Sequence, residues 1–124
     1  MVKTKPKNWV VGRWLIESMT EWEREFIDEM VRGYFEFDNK DSGSFQFGCV
    51  EGQIDYRLGE RYGKPALEFS WEGHDESEAT LGRGWLVLEG DELKGMVYTH
   101  FGDESGIVLK REPEKKTKMP RKRK

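Results

Sequence analysis

Ala66-Leu67-Glu68-Phe69-Ser70-Trp71-Glu72 alternates apolar and polar side chains without a break. That two-residue period belongs to a strand with one buried face, here Leu67, Phe69 and Trp71. The pattern recurs on both sides of this stretch. Residues 53–59 set Ile54, Tyr56 and Leu58 against Gln53, Asp55 and Arg57, residues 44–50 align Phe45, Phe47 and Cys49, and residues 34–38 align Phe35 and Phe37. Toward the C-terminus, 83–89, 93–100 and 106–111 continue the series, and 10–18 open it with Trp14 and Ile16 on one face. Eight strands are therefore expected.

The segments between them (38–43, 51–52, 60–65, 73–82, 90–92 and 102–105) are short and rich in glycine and other turn formers. Short connections make neighbours in sequence pair in space, and eight strands suffice to close a barrel and remove exposed edges. The expected fold is thus mainly all-β: an eight-stranded antiparallel up-and-down barrel with one helix between strands 1 and 2. The helix is read from Thr20 and Glu23, which fit a capping box, from Trp22, Phe26 and Met30 at i, i+4, i+8 with Ile27 and Val31 beside them, and from Gly33 at the C-cap. Its outer face would carry Glu21, Glu25, Asp28 and Glu29.

The chain has 124 residues, enough for one domain, and only 35% of them are hydrophobic. Five Trp, seven Phe and four Tyr concentrate that apolarity in large side chains, which suits a small aromatic core. No apolar run approaches the roughly 18 residues of a membrane helix, and no apolar stretch follows the lysines near the N-terminus to make a signal peptide, so a cytoplasmic location is expected. Cys49, alone and in an alternating strand, reads as a buried structural thiol. The net charge of −3 conceals a segregation: residues 8–109 carry nine Lys and Arg against 22 Asp and Glu, whereas residues 110–124 carry nine bases and two acids. Residues 1–8 read as a basic flexible arm, 9–111 as the single barrel domain, and 112–124 as a disordered basic tail.

Gly12-Arg13-Trp14 in the first strand, with Lys110 and Arg111 in the last, resembles the calycin (lipocalin-like) pattern, in which a Trp near the start of an eight-stranded barrel is covered by a basic side chain from its end. Over residues 12–111 the chain also resembles a group of small uncharacterised bacterial β-barrel proteins, through Glu68-Phe69-Ser70-Trp71-Glu72-Gly73, Asp75-Glu76, Gly82-Arg83-Gly84-Trp85, His100, Gly102-Asp103 and Ser105. The second resemblance implies a compact barrel and transfers no catalytic residues.

In a meander the odd-numbered connections share one rim. That rim would gather Glu72, His74, Asp75, Glu76, Glu78, Arg83, His100, Asp103, Glu104 and Ser105, with the helix over the mouth, as a ligand or partner site. His74, Asp75, His100 and Asp103 are candidate metal ligands and the basis of an alternative reading as a metal-dependent enzyme, although their spacing matches no compact metal motif. The same polar residues also make sense as a solvated turn, Asp103 and Ser105 bonding local amides and Arg83 pairing with a carboxylate. The glycines separate strands rather than preceding a helix, which argues against a phosphate loop. Lys115, Lys116, Lys118, Arg121, Lys122, Arg123 and Lys124 could associate with nucleic acid, but the aromatics of the body stand among acids and read as core. The favoured expectation is a non-catalytic binding or interaction module without a cofactor. Its partner would be a protein or a second copy, with a small apolar ligand inside the barrel as the other possibility.

Overall fold

The computed structural model describes residues 9–113, and its strands close into one antiparallel barrel in the order β1 to β8. They are β1 (Gly12–Met19), β2 (Tyr34–Phe37), β3 (Ser42–Phe47), β4 (Val50–Arg61), β5 (Lys64–Asp75), β6 (Glu78–Glu89), β7 (Glu92–Thr99) and β8 (Glu104–Arg111), with the single helix α1 (Arg24–Ile27) between β1 and β2. β8 returns to β1, where Trp14 lies opposite Arg111 and a register shift falls between Ile16 and Ser18. The eight-stranded meander with one intervening helix is as the sequence pattern implies.

Alternation decides what fills the barrel. Phe35, Phe37, Phe45, Tyr56, Leu67, Phe69 and Trp71 are all buried, and the aromatic rings among them form one connected cluster. Phe45 lies 4.8 Å from Phe35 and 5.7 Å from Phe47 in stacked pairs, and Trp71 meets Phe45 edge-on at 5.1 Å. Trp71 donates its indole N–H to Tyr98 O at 3.2 Å and Tyr56 its hydroxyl to Asp38 O at 2.6 Å, so both of these polar handles are satisfied. A core of this kind is packed rather than hollow.

One end is closed by the chain itself. Val10 is wholly buried, the Trp14 indole donates to its carbonyl at 3.0 Å, and the Arg111 guanidinium lies 4.2 Å from the Trp14 ring. Arg111 also donates to Val11 O at 2.8 Å and Trp9 O at 2.5 Å. Burial holds its pKa below the ordinary arginine value. Gly12 has φ of +124°, and a Cβ there would stand 2.8 Å from the Arg111 guanidinium, so only glycine fits.

The opposite end differs from the sequence reading in three ways. The helix is a single turn: Glu23 is its N-cap without a side-chain bond. Thr20 makes no capping box, because its hydroxyl accepts from the Gly106 N–H at 2.8 Å while its own N–H donates to Gly106 O. Thr20 thus prolongs the β1/β8 pairing. Ile27 is buried, and Trp22 and Phe26 stack on each other and meet Phe47 at an angle, but Met30 and Val31, past the helix, are exposed. Finally, Cys49 is half-buried in the β3–β4 turn rather than in a strand. Gly48 before it adopts φ of +59° and packs under Phe26, where a Cβ would lie 2.6 Å from the ring.

Strand lengths also differ from expectation. Residues 51–52 and most of 73–82 are strand, because β4, β5 and β6 run 12 residues each. These long strands overshoot their neighbours. β3 stops pairing with β4 at Ser42 opposite Asp55, and β7 stops pairing with β6 at Thr99 opposite Gly82. Closure is therefore complete around the girth but leaves the end of β4 and the start of β6, among other strand ends, with a strand partner on one side only among the described residues.

Candidate functional site

The predicted rim residues separate into four environments. Glu72 and His74 lie on β5 facing outward, at register positions opposite Gln53 and Leu81 for Glu72, and Glu51 and Ala79 for His74. They sit on the outer wall rather than around a mouth. Asp75 and Glu78 pair at the base of the β5–β6 turn, whose tip is Glu76 with φ of +59°. Arg83 lies further along the outer wall of β6, its guanidinium 4.7 Å from the Tyr98 ring rather than on a carboxylate.

Ser105 is the member of the set that the structure takes out of a binding role. It is 1% exposed, its hydroxyl accepts from the Glu21 N–H at 3.1 Å and donates to Gly106 O at 2.8 Å, and it ties the segment after β1 to β8. Asp103 contributes its carbonyl to the β7–β8 turn, accepting from Thr99 N–H at 2.8 Å. In place of the expected bond to a local amide, the Ser105 hydroxyl accepts from an amide 84 residues away in sequence.

The four candidate metal ligands are not assembled: among the described residues no group of three or more His, Cys, Asp or Glu side chains is placed to hold a metal ion. Cys49, which lies beside this region, is no activated nucleophile either. Desolvation first, then Glu29, Glu76 and Asp75, push its thiol pKa up. The basic residues from Lys115 to Lys124 lie outside the described residues.

What the structure does bring together is a groove of about 570 Å³ on the outer wall, lined by Gln53, Glu72, Gly73, Ala79, Thr80, Leu81 and His100. It exists because β7 turns away at Thr99 while β6 continues. At its edge the imidazole of His100 lies 4.1 Å from the Phe101 ring, and Phe101 is 98% exposed. Leu81 is 49% exposed. Phe101 also holds φ of +59°, a left-handed conformation that a bulky side chain rarely adopts. The sequence reading missed Phe101 and Leu81 because neither belongs to an alternating run at its own position. A Phe between a strand-ending His and a Gly, inside a turn, was the available signal.

Charge sharpens this end. The salt bridges between described residues use Glu36, Asp28, Asp55, Glu89 and Glu92. Of these only Asp28 stands by the helix; Glu21, Glu25, Glu29, Glu51, Glu72, Glu78 and Glu104 take part in none of them.

A second groove, of about 440 Å³, runs over β4, β5 and β6 between Asp55, Arg57, Arg61, Glu68, Ser70, Arg83 and Trp85. Here Trp85 is half-buried on the outer face with the Arg61 guanidinium 4.2 Å from its ring. Tyr34, likewise outside, is covered by Arg13 at 4.1 Å. The aromatics of the body are therefore not all core: Trp85, Tyr98 and Tyr34 stand on the wall, each against a guanidinium.

No family model, curated protein or solved structure matches the chain. The fold class rests on the strand register alone: a closed eight-stranded antiparallel β-barrel. No helix among the described residues is long and apolar enough to cross a membrane.

Proposed function

We propose that this protein is a non-catalytic interaction module that docks a protein partner on the outer wall at the helix end of the barrel. The observation that carries the reading is Phe101, presented bare beside Leu81 and His100 at the edge of the groove. Exposed aromatic anchors next to a concavity are typical of binding hot spots. The core argues in the same direction, since a barrel filled by Phe35, Phe37, Phe45 and Tyr56 leaves its binding surface outside.

The calycin-like reading draws support from Arg111 over Trp14, the arrangement that resemblance implies. It bears on the scaffold and not on a ligand cup, because the same Trp14 is sealed beneath Val10. A cytoplasmic setting fits a chain with one free, half-buried cysteine.

Native mass spectrometry of gently purified full-length protein tests the docking reading. A discrete protein complex is expected, lost in Phe101→Ser and Leu81→Ser while both variants stay folded. A complex indifferent to both substitutions, or an adduct of lipid or metal mass alone, overturns it.

A further inference from the structure

We infer that the partner is held by strand addition: an extended segment of another protein, alternating Lys or Arg with apolar residues, pairs with the open edge of β6 at residues 78–81. This deepens the docking reading above and rests on it.

The argument starts from register. β6 pairs with β5 as far as Asp75 opposite Glu78, but with β7 only as far as Thr99 opposite Gly82. Residues 78–81 therefore have a strand partner on one side and none on the other among the described residues. Within a strand, the N–H and C=O of one residue point to the same edge, and successive residues alternate. His100 N–H donates to Leu81 O at 2.8 Å, which fixes Leu81 as facing the β7 side. Ala79, two residues away, faces that side too. Its N–H and C=O, with the Leu81 N–H, form a short row of backbone groups in line with β7 and beyond its end. Rows of this kind are templates for added strands.

The other overshooting strand makes a useful contrast. On β4, past Asp55, the first free positions are already taken: Tyr56 N–H donates to Asp41 O at 3.0 Å, and the Arg57 guanidinium donates to Tyr56 O at 2.8 Å. Charged side chains on Arg57 and Arg61 flank that edge, the usual protection against pairing. At β6 the backbone bond from His100 goes to Leu81 and leaves Ala79 open among the described residues.

The surroundings define the occupant. Phe101 and Leu81 offer apolar contact beside the edge, while Glu72 and Glu78 lie on the two strands that build it and enter none of the salt bridges between described residues. An approaching strand that is acidic or neutral would leave those carboxylates unanswered, whereas a basic one complements them. The alternation follows from the pleat, which sends every second side chain to one face.

The experiment is a titration of the full-length protein, observed through its backbone amide NMR signals, with a synthetic peptide of sequence Lys-Val-Arg-Val-Lys-Val blocked at both ends. The expected result is perturbation centred on Ala79, Leu81 and Phe101, absent with the Glu-for-Lys/Arg peptide. Ala79→Pro removes the donor from an edge position where proline is tolerated, so the barrel should stay folded and the affinity fall about tenfold or more. Binding unchanged in Ala79→Pro, or perturbations centred on the groove at Trp85, overturns strand addition. If the native complex is lost in Phe101→Ser but kept in Ala79→Pro, the docking face stands and strand addition fails; if both variants keep it, both fail. If residues 79–81 shift on deletion of 114–124 and no peptide binds until that deletion is made, the chain's own tail holds the edge and a partner strand is ruled out.

Discussion

At the end where β1 begins and β8 finishes, Val10 is plugged into the barrel, Trp14 is fixed by its carbonyl, and Arg111 reaches across to two further carbonyls. At the helix end a single helical turn covers Phe47, β6 runs past β7, and Phe101 projects into solvent. Around Trp14 the first end satisfies its polar groups internally. The second leaves backbone and apolar groups on offer. Stability should thus concentrate at the first end and recognition at the second, and substitutions divide accordingly.

The largest effect is expected of Trp14→Ala. It removes the largest of the fully buried side chains and the anchor of Arg111, a loss of about 3–5 kcal/mol for a buried aromatic. Urea unfolding should show the midpoint fall with little change of slope. A shift under about 1 kcal/mol would mean that the closed end contributes no more than an ordinary surface.

Arg111→Ala comes next, at about 2–3 kcal/mol from two lost charge-assisted bonds and the ring contact. Arg111→Lys should recover less than half, because an ammonium cannot lie flat on Trp14 while reaching both Val11 O and Trp9 O. Thermal denaturation of the three proteins side by side measures this. Full rescue by lysine would reduce the clasp to a simple positive charge.

Ser105→Ala probes the open end's one deeply buried hydroxyl. It orphans the Glu21 N–H and should cost about 1–2 kcal/mol. Faster amide exchange at Glu21 and Thr20, with the barrel strands unaffected, is the expected signature. If exchange accelerates equally at Trp14, the two ends are one cooperative unit and the comparison breaks.

Acid titration sharpens the same contrast. Burial alone would raise the Asp28 pKa, but the Gly33 N–H bond and the Arg24 and Arg32 guanidiniums outweigh it and hold the carboxyl below the ordinary aspartate range. A depressed folded-state pKa contributes stability above the unfolded value, near 3.9 for aspartate, and that contribution is lost as pH falls through the lower folded value. Wild type should therefore lose more stability than Asp28→Asn on going from neutral pH to below about 4. Parallel pH curves would show that Asp28 organises nothing.

The barrel was legible because its signal is distributed: Phe35, Phe45, Tyr56, Phe69 and Trp71 each repeat the same two-residue message, and short turns leave one topology. The helix was overestimated because Met30 and Val31 continue a 3.6-residue period by coincidence, while the Thr20 hydroxyl is better used on Gly106 than on a cap. The rim reading gathers its residues at one end of the barrel, because parity of the connections assigns ends. It was wrong in detail because strand length is not written in the alternation: Gly73 and Gly82 look like turn residues and are in fact points where neighbouring backbones approach too closely for a Cβ, at 1.8 Å from Glu51 O and Tyr98 O. The overshoot that makes the groove follows from those lengths, so no reading of single residues could reveal it.

Phe101 gives the smallest effect on stability and the opposite sign. Its φ of +59° is comfortable for glycine and strained for phenylalanine, and its ring gains little burial in return. Phe101→Gly should therefore stabilise the barrel by roughly 0.5–1 kcal/mol even after the entropy that glycine adds to the unfolded chain. A neutral or negative change would mean that the contact with His100 at 4.1 Å outweighs the backbone strain. If the gain in stability comes together with loss of the partner, the residue is retained at a cost to folding for what it does outside the barrel, the trade expected where strain sits at a recognition site rather than in a scaffold.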